Sequence, residues 1–314
     1  MSSARGVELA DVGGCVAIGV PRFQHETHMK NTTATALTVL VGILISVPAS
    51  GQTASASATQ PPTTTSAPAP APAEGAPSKT YTVTTGLDFT SAYFFRGIPQ
   101  HSGGTIAQPY GDVAFALGHG ITADVGTWNS IHSTAAAGNY YERDYFGSLT
   151  FTAGKLKPGL LYTSYTSPAD SFATVQELAG TLAIDDSKSA FPLSPKIVLA
   201  FELGDGQADG GARKGTYLEL GVRPTVKLAP KVTLAIPVKT GLSAHNYYEG
   251  PTGSNRFGYF DTGLSLSVPV VSGKSGTLEV HGGVDFYWLG DNMKLLNDND
   301  RFKPISLVGF TYTY

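Results

Sequence analysis

Thr277-Leu278-Glu279-Val280-His281-Gly282-Gly283-Val284-Asp285-Phe286-Tyr287-Trp288 and the final Leu307-Val308-Gly309-Phe310-Thr311-Tyr312-Thr313-Tyr314 alternate apolar residues with polar or small ones. Successive side chains of a β-strand point to opposite faces, so a period of two sorts them into two sets. Leu278, Val280, Val284, Phe286 and Trp288 share one face, and Glu279, His281, Asp285 and Tyr287 the other. Val308, Phe310, Tyr312 and Tyr314 make a second apolar row opposite Leu307, Gly309, Thr311 and Thr313. One face suits hydrocarbon and the other water.

The same device repeats back to Tyr81, with turn residues between segments. Twelve segments are expected, at about 81–92, 105–117, 120–130, 142–153, 158–166, 173–184, 195–204, 215–227, 232–243, 257–269, 277–288 and 303–314. The number is even, as in bacterial single-chain barrels. Short connections at Gly118-His119, Gly154 to Lys157, Leu228 to Lys231 and Pro269 to Gly276 alternate with longer ones at 93–104, 131–141, 167–172, 205–214, 244–256 and 289–302. Asp185 to Ser194 breaks the alternation, being long where a short turn is due. Pro109, Pro224 and Pro237 fall inside expected strands, where each removes a ladder donor, and call for bulges or shifted strand ends. A secreted β-sandwich would also alternate, but with shorter strands and turns every 8 to 12 residues or so.

Composition points the same way. Charged residues are 14% of the chain, against roughly 25% in soluble proteins, while 37 Gly, 15 Tyr and 15 Phe are abundant. Helical spans need about 18 consecutive apolar residues, and none occurs beyond residue 50. A net charge of −3 without a Lys/Arg block excludes an electrostatic surface for nucleic acid. The expectation is an all-β protein: a transmembrane antiparallel up-and-down β-barrel of about twelve strands over residues 80–314, with short periplasmic turns and longer extracellular loops.

The N-terminal quarter reads as targeting and tether. Met29-Lys30, an apolar run from Ala34 to Val47 and small-residue cleavage sites such as Ala49-Ser50-Gly51 predict a signal peptide over 29–51. Its distance from Met1 makes residues 1–28 a non-native upstream extension, with translation starting at Met29. Residues 52–79, rich in Pro, Ala, Ser and Thr, predict a disordered linker. The single cysteine, Cys15, precedes every cleavage site, so the mature chain forms no disulfide. Export and a barrel together predict the outer membrane of a Gram-negative bacterium.

Ser91-Ala92-Tyr93-Phe94-Phe95-Arg96-Gly97-Ile98-Pro99-Gln100 resembles the Ser-Asp-Tyr-x-Phe-Arg-Gly-Ile-Ser-Gln segment of the TorF family of outer-membrane porins. Gly126-Thr127-Trp128-Asn129-Ser130, Glu142-Arg143-Asp144-Tyr145-Phe146-Gly147 and Gln176-Glu177-Leu178 are similar to further segments in the same order. Ala92 and Pro99 depart from the family's Asp and Ser. The resemblance implies a porin-like barrel. Tyr314 is similar to the terminal aromatic that outer-membrane assembly machinery reads, which implies that machinery as a partner.

If the apolar face meets lipid, the other lines a lumen. Its first half contributes Asp88, Asp112, Asp124, Asp144 and Glu177. The middle strands add Lys196, Glu202, Glu219, Arg223, Lys227 and Lys239, and the last ones Asp261, Glu279, His281 and Asp285. Acidic groups predominate, which predicts an open channel with weak cation preference for small polar solutes. Five of the six arginines after residue 80 (Arg96, Arg143, Arg213, Arg256 and Arg301) fall in or beside expected outer loops, where they could hold lipopolysaccharide phosphates.

Other chemistries have weaker support. His101, His119, His132, His245 and His281 offer bases for a Ser/His hydrolase, but none lies in a recognisable signature, so no enzyme is expected. Asn297-Asp298-Asn299-Asp300 and Asp205-Gly206-Gln207-Ala208-Asp209 have oxygen ligands without a calcium-loop pattern and read as turns. No metal or cofactor motif is found. A plugged barrel acting as receptor or anchor would use loops 244–256 and 289–302, although Tyr247, Tyr248 and Phe257 read first as interfacial girdle aromatics.

Overall fold

A computed structural model describes residues 80–134, 138–251 and 253–314. The upstream extension, signal peptide and linker expected over residues 1–79 lie outside the described residues.

Each predicted segment is a strand. The first six are β1 (Tyr81–Phe95), β2 (Ile98–Gly118), β3 (Ile121–His132), β4 (Tyr140–Phe151), β5 (Leu156–Thr166) and β6 (Val175–Ile184). Then come β7 (Lys196–Glu202), β8 (Thr216–Val222), β9 (Thr225–Ala229), β10 (Val232–Ala235) and β11 (Val238–His245). A small hairpin, β12 (Glu249–Gly250) and β13 (Gly253–Ser254), precedes β14 (Phe257–Gly273) and β15 (Gly276–Leu289). The short helix α1 (Asp291–Leu295) leads to β16 (Phe302–Thr313).

β8 with β9, and β10 with β11, are single barrel strands interrupted at Pro224 and Pro237. Neither proline can donate to a ladder, so the chain jogs there and resumes in the same sheet. The Ile236 amide donates to the Pro224 carbonyl across the gap. Pro109 is absorbed differently. The β2–β3 pairing skips Gln108 and Pro109 without changing register, and the Asn129 side chain donates to the Pro109 carbonyl. Counted so, twelve antiparallel strands each pair with their sequence neighbours, and β1 pairs with β16 over Thr84↔Thr313 to Thr90↔Leu307 to close the ring. Among the described residues the barrel sheet has no free strand edge, as a hydrocarbon environment demands.

Outward positions are apolar and exposed, among them Phe89, Val125, Leu160, Leu199, Leu264 and Val308. A wall of such side chains is compatible with lipid and not with water. Trp288 and Phe302, in register near the loop end, pack ring on ring, and Leu278 pairs with Tyr312 ten residues along the same two strands. Ten residues cover about 33 Å of strand, or about 25 Å along the axis at a tilt of about 40°, the height of an outer-membrane barrel's apolar band. The fold is an all-β transmembrane barrel.

One connection differs from expectation, and one is irregular as the sequence indicates. Residues 93–104 are not a long outer loop: β1 and β2 run on to a two-residue turn at Arg96-Gly97, with Phe95 paired to Ile98. Both turn residues have positive φ, 50° and 78°, the type I′ geometry whose twist suits a hairpin. The connection after β6 stays long. Its form is held by Asp186, which accepts the Leu193 and Ser194 amides, and by Asp185, whose carboxyl the Ser187 hydroxyl and the Lys157 ammonium hold well below the usual carboxylate range.

Gly97 has a second constraint, because a Cβ there would lie 2.7 Å from Tyr259 on β14. Gly97→Ala should therefore cost roughly 2–4 kcal/mol, the left-handed backbone penalty plus overpacking. Gly103→Ala, also at positive φ but with nothing within 4 Å, should cost only about 1–2 kcal/mol. Urea unfolding of both variants in lipid vesicles checks this, and equal midpoints would refute the packing half of the argument.

Candidate functional site

The barrel interior has two halves. Towards the short turns, inward side chains such as Asp112, Lys196, Arg223, Lys239, Glu279 and Asp285 are half-buried and reached by solvent. Towards the long loops, inward side chains are buried and mostly aromatic: Trp128, Tyr165, Tyr217, Tyr259 and Tyr287 from the strands, with Tyr247, Tyr248 and Met293 from the loops. The interior is a polar vestibule closed at its loop end, not the open lumen expected throughout.

The closure is made by the tip of the β1–β2 hairpin. Phe95 stacks edge-on against Tyr165 of β5 with centroids 5.0 Å apart, and Gly97 lies against Tyr259 of β14. Arg96, only 5% exposed, crosses to the far wall. Its Nη1 donates to Glu177 Oε1 at 2.6 Å and to the Tyr247 hydroxyl at 2.7 Å, and its guanidinium carbon lies 4.1 Å above the centre of the Tyr217 ring. Tyr165 donates to the other Glu177 oxygen at 3.0 Å, and Tyr248 donates to the Arg96 carbonyl at 3.1 Å. A second carboxylate, Glu219, accepts from Tyr217 at 2.6 Å and Tyr259 at 3.0 Å. Strand and loop tyrosines thus place a ring on the hairpin tip and give each hydroxyl a partner, as buried phenols require.

The predicted lining residues all fall on inward positions of their strands. Asp88 faces His281 at 2.8 Å, and Asp261 faces Lys239 at 3.3 Å. Asp144, Glu202 and Glu219 are buried in the closed half or at its border, whereas Asp124 is buried near the short turns, level with Ala114. Glu202 accepts the Ala208 and Gly215 amides and so serves to shape its loop. Lys227, on an inward position of β9, is exposed near the turns. The inward charges of strands β1–β4 are acidic, whereas Lys196, Arg223 and Lys239 lie on the opposite wall, interspersed with acidic groups such as Glu219 and Asp261.

Among the arginines expected at lipopolysaccharide, Arg96 is corrected. It lies inside the barrel because the hairpin folds inward. Arg143 faces outward near the loops and donates to the Tyr140 and Tyr145 hydroxyls at 2.9 and 3.2 Å. Arg213 pairs with Glu249, Arg301 pairs with Asp291, and Arg256 is exposed. Tyr247 and Tyr248 are corrected as well, since both are fully buried in the closure and not in an interfacial girdle. Asp209 and Asp300 accept backbone amides as turn residues do.

Sequence reasoning missed Glu142, which alternation places inward beside Asp144, and the inward strand tyrosines as a group. Their signal was present, since Tyr165, Tyr217, Tyr259 and Tyr287 all sit on the polar face near the loop end of their strands.

The architecture defines a closed twelve-strand antiparallel barrel with an occluded loop end. No family model matches the chain, and no curated protein matches it. Among solved structures it is similar to the NanC porin, at 10% identity over 74% of this chain and 97% of the other, with a TM-score of 0.43. It is also similar to an outer membrane channel from Pseudomonas putida F1 (8% identity, 77% and 98% covered, TM-score 0.42) and to the translocator domain of the autotransporter NalP from Neisseria meningitidis (14%, 74% and 88%, 0.39).

Removing Arg96 leaves Glu177 charged and buried with one phenol for company, a change worth roughly 3–5 kcal/mol in comparable buried pairs. Arg96→Ala should lose that much folding stability in vesicles, while Arg96→Ala with Glu177→Gln should recover more than half of it. Failure of the second change to rescue would mean that the pair does not hold the closure.

Proposed function

We propose that the chain is an outer-membrane, porin-like channel for small polar solutes, closed at its loop end by the β1–β2 hairpin and weakly cation-preferring. The observation that carries this reading is the charged, solvent-reached vestibule inside a lipid-compatible wall. A barrel serving only as an anchor has no need of a wet, ionised interior, which is costly to build in place of a packed apolar one. Passage requires the Arg96–Gly97 tip to leave the lumen, an opening that belongs with lid motions on the microsecond-to-second scale. Cation preference follows from the acidic wall of β1–β4, moderated by the lysines opposite.

The aromatic closure favours a second reading, a shut barrel acting as surface receptor or anchor. A hydrolase has less support: Ser130 Oγ lies 2.8 Å from His132 Nε2, but both side chains are wholly buried, and His132 Nδ1 has no hydrogen-bond partner to orient the ring.

Planar-bilayer recording separates the two main readings. The native chain should give brief, small openings with a reversal potential favouring cations, and Arg96→Ala/Glu177→Gln should raise both open time and conductance. Silence from the double variant as well would favour the receptor reading, and anion preference would overturn the assignment of the acidic wall.

A further inference from the structure

Glu142 and Asp144 stand two residues apart on β4, so both side chains point inward from one strand. They are 4% and 0% exposed. Among the described residues neither has an ion-pair partner, because Arg143 between them points outward and Arg96 is taken by Glu177. Neither oxygen of Asp144 accepts a hydrogen bond. Register brings further oxygens to the same place. Ser130 of β3 lies opposite Glu142, and Gln108 on the next strand reaches Ser130 Oγ with its Nε2 at 3.4 Å. Gln108 is wholly buried, and its Oε1 has no partner. Buried Tyr93, whose ring lies 5.2 Å from that of Trp128, the register partner of Asp144, has a hydroxyl without a hydrogen-bond partner.

Two buried carboxylates and neutral side-chain oxygens, with no cationic side chain, form an arrangement that destabilises itself unless positive charge is supplied. Asp112, lower on the same wall, is reached by solvent and has no such need. His132 Nε2 is engaged by the Ser130 hydroxyl at 2.8 Å, so the free donors are oxygens; such a set selects a hard ion, and two carboxylates balance two positive charges. We propose that Glu142 and Asp144, completed by Gln108 Oε1 and the Ser130 and Tyr93 hydroxyls, bind a divalent cation of the calcium type inside the β2–β4 wall. The ion ties that wall to the base of the closing hairpin through Tyr93. The site does not depend on the chain being a channel.

The test uses the full chain folded in detergent, stripped with EDTA and titrated with Tb³⁺. Trp128, paired in register with Asp144, is the sensitiser, and the other of the two tryptophans, Trp288, faces outward at the lipid boundary. One Tb³⁺ per chain should give sensitised emission, and Ca²⁺ should displace it at about 10⁻⁴ M or below. Trp128→Phe should abolish the emission excited at the red edge of indole absorption, where tyrosine does not absorb, without abolishing Ca²⁺-dependent thermal stabilisation. Glu142→Gln with Asp144→Asn should abolish both, while Asp112→Asn keeps both. The double variant relieves buried charge and should fold, which its heat-modifiable gel migration would report. Absence of emission and of any Ca²⁺ shift in the native chain would overturn the proposal and leave a carboxyl pair sharing a proton. Emission surviving in the double variant would overturn it equally, by locating the ion among loop carboxylates. Neither failure bears on conductance, which is read separately in bilayers.

Discussion

The pairing of β1 with β16 is the constraint on which the rest depends. Seven successive rungs from Thr84↔Thr313 to Thr90↔Leu307 join the ends of the chain's barrel and leave no strand edge exposed. Unpaired amides are tolerable in water but cost several kcal/mol each in hydrocarbon. Closure is therefore what lets Phe89, Val308 and Phe310 face outward at all. Tyr81 and Tyr314, whose ring centres lie 6.3 Å apart, extend this seam to the turn end. Asp88 ties the same seam from within, through His281 on β15.

Once the wall is closed, its interior must be filled or wetted, and this chain does each in one half. Twelve strands enclose more space than their own inward side chains can fill. At the turn end, small inward residues such as Thr84 and Thr311 leave that space to solvent and to charged groups. At the loop end a piece of the wall is itself turned inward. The type I′ turn at Arg96-Gly97 makes this possible, because a two-residue turn keeps the tip narrow enough to lie against the tyrosines of β5, β8 and β14. A Gly-free turn would lift the tip away from Tyr259, and a longer loop would lose the position of Arg96.

The strands were legible because alternation over about ten residues survives any local irregularity, and all twelve expected spans correspond to barrel strands. Prolines 224 and 237 were legible as trouble but not as jogs, since nothing local tells a proline inside a strand from one between two short strands. The hairpin tip was hidden for a specific reason. In Tyr93-Phe94-Phe95 the alternation fails, and a failed alternation reads as loop. In the folded barrel those rings are buried because the tip leaves the wall, where neither face is lipid and neither is solvent. Tyr247 and Tyr248 were obscured in the same way. An aromatic pair at a strand end fits both an interfacial girdle and a closure, and the choice depends on contacts with Arg96 that lie about 150 residues away in sequence. Glu142 is different: it was available from parity with Asp144 and was overlooked.

On the channel reading proposed above, Arg96 explains how a closure can be firm without being permanent. Its guanidinium is held on one side by Glu177 and on the other by the Tyr217 and Tyr247 rings, so polar and cation–π contacts meet on a single side chain. An apolar plug of the same size would be stabilised by burial alone and would resist wetting. A charged one shares its cavity with Glu177, Glu202 and Glu219, groups that water solvates readily when it enters. The free-energy gap between shut and flooded states is thereby narrowed from both sides, because the shut state carries a desolvation penalty that the flooded state does not. The aromatic rings then supply what keeps the shut state in the majority. Replacing Arg96 by a large apolar residue would on this reasoning give a tighter plug, and retaining the arginine is what a barrel that opens requires.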